Sequence, residues 1–356
     1  MTSDPGTRSA IHTIAVVIPV YRGEETLPAL LEEIDPLTTT HLSADGNPLR
    51  VSEVVLVHDC GPDRSDVTIR ELAADYPYVR PVWLARNFGQ HAATLAGMSS
   101  TSADWIVTMD EDGQHDPDAI AAMLDAALST RSQLVYAEPT NSPPHGALRN
   151  LTSRAAHGFA RVMGSGDIGH FHSFRLILGE IGRSLAAYCG ESVYLDVALT
   201  WVVNRRAVHP VEMRDERGRD SGYTYRHLVS HWWRMTLTAG TRPLRIVAVL
   251  GVLLGLSALA LTAWIVWHKL TSDFPVQGWA SVVVILLVTS GATLFSLGIL
   301  AEYLGVTART AMGKPINLVV SDPAEGPLGR QPRRGDAAPT ASAHDAQPAE
   351  RATIET

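Results

Sequence analysis

Ile106-Val107-Thr108-Met109-Asp110-Glu111-Asp112-Gly113-Gln114-His115-Asp116-Pro117 begins as a short apolar run and ends as a group of carboxylates. The run Ile106 to Met109 predicts a buried strand, so the acidic residues would follow its carboxyl end, the edge at which open α/β sheets bind ligands. In an extended segment Asp110, Asp112 and Gln114 would project to the same side. Carboxylate and amide oxygens suit hard cations such as Mg²⁺ or Mn²⁺, so the spacing predicts a metal site.

A second interpretation of the same acidic stretch is a loop that caps a helix. Asp116 has the residue type of an N-cap, and Pro117 would occupy the first position of a helix that begins near it. This interpretation accounts for Asp116. It leaves Asp110 and Asp112 open between a metal site and a loop, because two acids at this spacing are a weak motif alone.

The composition of the chain bounds its class. Its 356 residues, 46% of them hydrophobic, suffice for one large domain and an additional part. The net charge of −8 argues against a nucleic-acid partner, which would require a basic surface. Cys60 and Cys189 are too few for a disulfide framework and indicate a reducing compartment. Residues 1–12 are polar, lack the apolar core of a signal peptide and are expected to be disordered.

Two uncharged apolar runs lie in the second half of the chain, at residues 246–267 and 279–300. Each contains roughly 22 residues, enough to cross the hydrocarbon core of a bilayer as a helix. The sequence therefore predicts two transmembrane helices. Arg242 and Arg245 precede the first run and Arg309 and Lys314 follow the second, whereas the connecting loop has only Lys269. This distribution predicts a multi-pass protein of the inner membrane with both termini and the preceding domain in the cytoplasm.

The first half of the chain alternates predicted strands and helices. The segments 13–20, 53–57, 81–84 and 106–109 predict strands, and the segments 24–34, 64–76 and 92–100 between them predict helices. This alternation predicts an α/β domain with a mostly parallel sheet and one ligand-binding edge. Residues 134–137 predict a fifth strand, and the segment from Tyr194 to Val203 fits either a strand or a helix.

Four motifs, in chain order, resemble those of family 2 glycosyltransferases with the GT-A fold. They are Pro19-Val20-Tyr21, His58-Asp59-Cys60-Gly61-Pro62-Asp63, Arg86-Asn87-Phe88-Gly89 and Met109-Asp110-Glu111-Asp112-Gly113-Gln114. Together with the two apolar runs they resemble the polyprenyl-phosphate branch, which includes dolichyl-phosphate mannose synthases and bacterial undecaprenyl-phosphate sugar transferases. The resemblance covers roughly residues 14–320, and its specificity comes from the agreement of several ordered motifs.

The resemblance implies a nucleotide pocket and a metal that bridges the diphosphate of a UDP-sugar or GDP-sugar. The implied nucleotide-binding residues are Pro19, Tyr21, Glu24, Glu25, Asp59, Arg86, Asp110 and Glu111, and the implied metal ligands are Asp110, Asp112 and Gln114. Asp59 would hold the base, although an Asp before Gly61-Pro62 also fits a turn. His58 replaces the first acid of the usual pair, which could alter the contact with the base.

The resemblance also implies a site for the phosphate of a polyprenyl lipid. The implied lipid-phosphate-binding residues are Arg149, Ser153, Arg175 and Arg217, and the implied catalytic residues are Asp110, Asp112, Arg149 and Ser153. Arg149 and Ser153 are four apart and share a helix face, although Arg149 could equally be a solvated surface residue. Arg175 could be structural or phosphate-facing, and Arg214 competes with Arg217. Ser173 occupies a position where the family often has an acid, but a phosphate acceptor is already anionic and needs little general base.

These observations predict the following division of the chain. Residues 13–222 would form the GT-A domain, 223–245 amphipathic juxtamembrane helices, 301–320 a cytoplasmic post-membrane segment, and 321–356 a disordered tail. The predicted activity is metal-dependent, inverting transfer of a sugar to undecaprenyl or another polyprenyl phosphate for cell-envelope glycan. The sugar, the nucleotide and any homo-oligomeric state stay open.

Two alternative functions stay open beside this predicted activity. A catalytically decayed membrane scaffold, or a regulator that only binds sugar nucleotides, is kept open by His58 and Ser173, which depart from the family pattern. A processive polysaccharide synthase would have more spans and a Gln-x-x-Arg-Trp motif. The sequence His231-Trp232-Trp233-Arg234 does not fit that motif.

Overall fold

The computed structural model describes residues 11–141, 172–190, 194–214, 242–271, 278–313 and 315–326. Several sequence-based expectations therefore lie outside the described residues. These are the acceptor-site residues Arg149, Ser153 and Arg217, residues 1–10 at the N-terminus, nearly all of the predicted juxtamembrane helices at 223–245, and the chain beyond residue 326.

The described part of the chain has an α/β architecture that includes one mixed, nine-stranded sheet. The strands are β1 (His12–Val20), β2 (His41–Leu42), β3 (Pro48–His58), β4 (Val79–Leu84), β5 (Trp105–Thr108), β6 (Leu134–Pro139), β7 (Arg175–Leu178), β8 (Arg206–Val211) and β9 (Val319–Val320). The helices are α1 (Leu27–Ile34), α2 (Ser65–Asp75), α3 (Gln90–Ser99), α4 (Ala119–Thr130), α5 (Gly179–Tyr188), α6 (Leu195–Val202), α7 (Arg242–Thr271) and α8 (Trp279–Ala311), with a 3-10 turn at Asp35–Thr38.

The centre of the sheet agrees with the predicted parallel arrangement. The strand order is β8-β6-β7-β5-β1-β3-β4-β9, with β2 paired to β3, and β5, β1, β3 and β4 are mutually parallel. The predicted fifth strand is confirmed as β6, but β7 lies between it and β5 and runs antiparallel to both. The periphery is therefore mixed. The segment from Tyr194 to Val203, which fitted either a strand or a helix, forms helix α6.

The central strand β1 is buried on both faces, as its continuous apolar sequence predicts. Ile14, Val16 and Ile18 belong to one core cluster with α1, whereas Val17 belongs to a second cluster with α3. A Cβ atom at Gly97 of α3 would lie 2.4 Å from Cγ1 of Val17. The small residues of α3 are therefore a packing requirement, because they let the helix lie against the middle of the sheet.

Two helices begin later than predicted because loop hydrogen bonds occupy their first turns. Helix α1 starts at Leu27, since the Glu24 amide donates to Asp63 Oδ2 (3.2 Å) and the Glu24 carboxylate accepts from the Arg64 amide (3.0 Å). Helix α4 starts at Ala119 with Asp118 at the N-cap position. Asp116 does stabilise the turn before it, because its Oδ1 accepts from the Asp118 amide (3.0 Å).

The two long helices of the second half agree only in part with the predicted spans. Within the described residues, Val247–Trp264 of α7 is the one segment long and apolar enough to cross a membrane. It falls inside the first predicted span. The second predicted span lies in the 33-residue helix α8, whose side chains are described only in part, so it stays a prediction.

The chain after α8 returns to the α/β domain and adds the edge strand β9, which runs antiparallel to β4. The Ala85 backbone amide donates to the Leu318 carbonyl (2.9 Å), and the side-chain Nδ2 of Asn317 donates to the Ala92 carbonyl (3.2 Å). We call residues 317–322 the C-terminal clasp.

A charged contact closes the clasp. Arg70 Nε and Nη2 donate to the two oxygens of Asp322 (2.7 and 2.8 Å), and the Arg70 guanidinium also lies over the Trp83 ring. This hydrogen bonding holds the pKa of the Asp322 carboxyl below its usual value. Residues 321–326 are therefore ordered on the domain, although the sequence placed them in a disordered tail.

We expect Asp322→Ala to release the clasp. The two charge-assisted hydrogen bonds to Arg70 would be lost at a partly exposed site. We therefore expect the hydrogen-exchange protection factor of the Ala85 amide to fall about tenfold, which corresponds to about 1.4 kcal/mol in the free energy of local opening. Hydrogen exchange on the full chain in detergent measures this. Asp66→Ala is the matched control, since Asp66 also accepts from Arg70 (2.8 Å) without belonging to the clasp. Equal loss of protection in both variants would show that Asp322 has no specific role in holding the C-terminal clasp on the domain.

Candidate active site

The carboxyl ends of β1, β3 and β5 bring the sequence motifs together at one edge of the sheet. The Asp59 amide donates to the Val20 carbonyl (2.8 Å), and the Met109 amide donates to the Val17 carbonyl (3.1 Å). These bonds extend the strand ladder into the loops. The Pro19-Val20-Tyr21, Asp59 and Asp110 motifs therefore meet at the edge where the sequence predicts a ligand.

Asp110 has a donor on each carboxylate oxygen. Gln90 Nε2 donates to Oδ1 (2.6 Å) and Ser173 Oγ donates to Oδ2 (2.6 Å). The Asp110 amide donates to Nδ1 of His115 (3.0 Å), whose buried ring stacks on Phe174 with centroids 4.9 Å apart. The carboxylate is thus held by side chains from α3 and from the segment before β7.

Asp112 lies in a turn, so the expectation of an extended segment from Asp110 to Gln114 is wrong. Gly113 makes this turn possible, because it adopts a φ of +74°, which favours glycine. Asp112 Oδ1 accepts from the Gln114 amide (3.0 Å). Burial raises the pKa of the Asp112 carboxyl, and the neighbouring charge of Asp110 raises it further.

The residues at this turn fit a divalent cation. Asp112 is half-buried beside a second carboxylate, and none of the described Lys or Arg side chains forms an ion pair with it. A cation between two close carboxylates would relieve their repulsion. The described residues contain no group of three or more His, Cys, Asp or Glu side chains able to hold a metal. Two carboxylates, with Gln114 as the third candidate, would leave coordination positions for diphosphate oxygens and water.

The Glu111 carboxylate accepts hydrogen bonds from backbone amides of a neighbouring loop. Its Oε2 accepts from the Tyr21 amide (2.9 Å), and its Oε1 accepts from the Arg22 amide (2.9 Å). This contact ties the loop after β5 to the loop after β1. The loop amides already engage this carboxylate, which favours a structural role, and nucleotide binding by Glu111 stays a prediction.

Asp59 likewise holds a loop. Its Oδ1 accepts from the Phe88 amide (2.7 Å) and its Oδ2 from the Gly89 amide (2.8 Å). The residue is 3% exposed, and burial raises the pKa of its carboxyl. This geometry disfavours the predicted contact of Asp59 with a base. It shows that Asp59 anchors the Arg86–Gly89 motif, a role that neither interpretation of the sequence included.

The remaining predicted nucleotide residues surround this edge. Pro19 lines a small pocket beside Asp110, and Tyr21 is 41% exposed. Glu25 is exposed, whereas the Glu24 carboxylate is engaged by the Arg64 amide. The Arg86 guanidinium lies 4.0 Å from the centre of the Phe88 ring. Pro19, Tyr21, Glu25 and Arg86 therefore stay candidates for nucleotide contacts, and Glu24 becomes a loop-forming residue.

Arg175 lies under the site in a buried ion pair. It is 3% exposed, its Nη1 contacts Asp196 Oδ1, and its Nε donates to Thr108 Oγ1 (3.0 Å). Tyr136 donates its hydroxyl proton to the same Asp196 oxygen (3.0 Å). Of the two roles open for Arg175, the structure favours the structural one. The predicted lipid-phosphate contact of Arg175 stays a prediction, and the ion pair with Asp196 weighs against it.

The other arginine that the sequence left open is also paired. Arg214 forms ion pairs with Glu33 and with Asp116 (2.9 Å), and the hydrogen bond to Glu33 raises the pKa of Arg214. Arg214 is therefore a structural link between α1 and the loop before α4. Arg217, its competitor for the phosphate role, stays a prediction outside the described residues.

Two residues of the site were not predicted from the sequence. Gln90 contacts Asp110, and Asp196 balances Arg175. Gln90 directly follows the Arg86–Gly89 motif, which is the signal that could have indicated it. Asp196 lies in the segment whose secondary structure was ambiguous. The pocket beside Asp110 includes Pro19, Gln90, Asp110, Ser173, Arg175 and Asp196 in its lining.

We expect Asp196→Ala to destabilise the domain by about 3–5 kcal/mol, because it leaves the Arg175 charge buried without a counter-ion. Tryptophan fluorescence during urea unfolding of the full chain in detergent measures the free energy. The double variant Arg175→Met/Asp196→Leu removes both charges and should be less destabilised than Asp196→Ala alone. A change below about 1 kcal/mol in Asp196→Ala would show that the pair does not bear on stability.

Known proteins are similar to this chain over the α/β domain and beyond it. The model of Glycosyl transferase family 2 matches residues 15–187. The chain is 25% identical to undecaprenyl-phosphate 4-deoxy-4-formamido-L-arabinose transferase of Klebsiella pneumoniae (strain 342), over 89% of this chain and 96% of the relative. It is also 25% identical to bactoprenol glucosyl transferase of Shigella phage SfX, over 86% of this chain and 99% of the relative.

A solved structure that matches part of the chain is glucosyl-3-phosphoglycerate synthase from Mycobacterium tuberculosis in complex with Mn²⁺, UDP and glucosyl-3-phosphoglycerate. It is 21% identical, with a TM-score of 0.46, over 65% of this chain and 80% of that chain. The family match confirms the resemblance that the ordered motifs indicated, and the sheet is that of a GT-A-like α/β fold. Residues 15–187 are therefore similar to glycosyl transferase family 2 domains, and the relatives that align with most of the chain are named sugar transferases.

Proposed function

We propose that the chain transfers a sugar from a nucleotide-diphosphate sugar to undecaprenyl phosphate or a related polyprenyl phosphate at the cytoplasmic face of the membrane. The observation that carries this proposal is the pair Asp110 and Asp112 at the carboxyl edge of the sheet, where Asp112 is half-buried beside a like charge. The names of the relatives, which act on undecaprenyl phosphate and bactoprenol, support the lipid acceptor.

The donor half of the proposed site lies along the described loops. Asp110 and Asp112, with Gln114, would hold Mg²⁺ or Mn²⁺, and that cation would neutralise the charge developing on the departing diphosphate. Tyr21 and Arg86 are exposed close to this edge and are available to contact the nucleotide. Either a uridine or a guanosine donor is compatible with these residues.

The acceptor half of the proposed site would use Arg149, Ser153 and Arg217 to hold the lipid phosphate. A phosphate oxygen would form a bond to the anomeric carbon as the bond from that carbon to the diphosphate oxygen breaks. Attack from the side opposite the diphosphate inverts the configuration of the sugar. The acceptor oxygen carries no proton to remove, so most of the rate acceleration would come from positioning and charge stabilisation.

We expect Asp112→Ala to lower sugar transfer roughly a hundredfold or more, because a preorganised charge at the leaving group would be lost. The assay combines UDP-sugars or GDP-sugars with short polyprenyl phosphates and detects the lipid-linked product by mass spectrometry. Asp118→Ala is the matched control, since Asp118 lies in the same loop with an exposed side chain. Chelation with EDTA should abolish transfer by the unaltered chain, and Mn²⁺ should restore it.

Two results would reject the proposal. Full activity of Asp112→Ala would exclude the metal assignment. Binding of sugar nucleotide in a titration with Mn²⁺, without product from any donor, would instead favour a scaffold or regulator that only binds the nucleotide.

We further propose that α7 and α8 both span the membrane and that both ends of the chain are cytoplasmic. The apolar segment Val247–Trp264 supports the first span, and the arginines before it support the orientation. In a variant with Cys60 and Cys189 replaced by Ser, a cysteine placed at Ser272 should react with a membrane-impermeant maleimide from outside spheroplasts. One placed at Met312 should react only after lysis. Reaction of both from outside would exclude this topology.

A further inference from the structure

The Asp110 carboxylate is held on both of its oxygens by side chains from outside the acidic turn. Both of its oxygens accept a 2.6 Å hydrogen bond from a neutral side chain, one from Gln90 and one from Ser173. Asp112, by contrast, accepts from the Gln114 amide of its own turn. A carboxylate that accepts neutral donors keeps its negative charge and has lone pairs left for a cation. Its orientation is nevertheless fixed from two sides.

The Ser173 donor is itself fixed by the buried network beneath the site. Thr108 Oγ1 donates to the Ser173 carbonyl (2.6 Å), and Arg175 Nε donates to Thr108 Oγ1 (3.0 Å). Arg175 is in turn paired with Asp196. Thr108 and Arg175 are 2% and 3% exposed, so breaking any of these bonds would leave a buried polar group without a partner. Ser173 is therefore positioned by the core of the domain.

We propose that Ser173 and Gln90 are positioning residues that hold the Asp110 carboxylate in the orientation in which it binds the divalent cation. This inference rests on the proposed function, because it assumes that Asp110 is a metal ligand. Partners that orient the ligands of a metal typically change its affinity by about 10-fold to 100-fold when they are removed. Ser173 then has a defined task at a position where an acid would add a further negative charge next to Asp110.

A purely structural role for the two hydrogen bonds makes a different prediction. If they served only to join α3 and β7 to the acidic turn, their loss would lower stability and leave metal affinity unchanged. Metal affinity measured without substrate turnover therefore separates the two roles.

The test is Mn²⁺ binding by the full chain in detergent, followed by the loss of the electron paramagnetic resonance signal of free Mn²⁺, with and without UDP. We expect Ser173→Ala and Gln90→Ala each to weaken binding about tenfold or more. Ser173→Thr keeps the hydroxyl donor and should bind nearly as well as the unaltered chain. Ser129→Ala is the matched control, because its hydroxyl donates to the Asp125 carbonyl (2.7 Å) at the exposed C-terminal end of helix α4. Thermal unfolding of each variant identifies any that fail to fold.

The outcomes are distinct. Unchanged Mn²⁺ affinity in a folded Ser173→Ala or Gln90→Ala variant would overturn the positioning role and leave the proposed transferase intact. Equal weakening in Ser173→Thr and Ser173→Ala would also overturn it, because the hydroxyl would then not be the active group. Absence of Mn²⁺ binding by the unaltered chain, even with UDP, would overturn the metal site on which both proposals depend. Should Ser173→Ala fail to fold, Gln90→Ala still tests the role, since Gln90 lies on the exposed side of the carboxylate.

Discussion

A carboxylate that is buried away from water must accept hydrogen bonds or pair with a positive charge. This constraint organises the loops at the carboxyl edge of the sheet, where the candidate active site lies. Glu111 satisfies it with the amides of the loop after β1, and Asp59 satisfies it with the Phe88 and Gly89 amides. Each acid thereby joins the loop of one strand to the loop of another. The edge is a set of loops fixed by carboxylate-to-amide bonds, on which exposed groups such as Tyr21 and Arg86 are presented.

The same constraint separates structural acids from functional ones. Asp59, Glu111 and Glu24 are engaged by backbone amides, which bind the charge and leave little of it for a ligand. Asp110 accepts from side chains, and Asp112 is half-buried next to it with a raised carboxyl pKa. The sequence predicts a nucleotide-binding or metal-binding role for all five acids, so residue type alone does not distinguish these groups. Asp110 is distinguished by its side-chain donors, and Asp112 by its burial next to that second carboxylate, so these two form the pair that a cation would stabilise.

The parts of the structure that sequence analysis predicted depend on local pattern, and the parts it missed depend on long-range pairing. The continuous apolar sequence of β1 predicts a central parallel strand, and the family motifs predict which loops meet. No local pattern indicates that β7 would enter between β5 and β6, or that the two-residue strand β9 would pair with β4. Arg175 shows the same limit, because its role follows from Asp196, on a helix that periodicity did not resolve. Arg70 likewise pairs with Asp322, which is 252 residues away in the chain.

The two departures from the family pattern bear on whether the domain is an enzyme or a decayed relative. His58 is buried against the edge of Trp83, and burial lowers its pKa, so the ring is neutral near pH 7 and packs as part of the core. Ser173 supplies a hydrogen bond to Asp110 and is itself held through Thr108 and Arg175. In a catalytically decayed site nothing would require Asp110 to keep one orientation, because an unpaired carboxylate in a loop could face water. Here Gln90 and Ser173 both donate to that carboxylate, and a buried threonine and a buried ion pair hold Ser173, which is the arrangement expected of the proposed metal site.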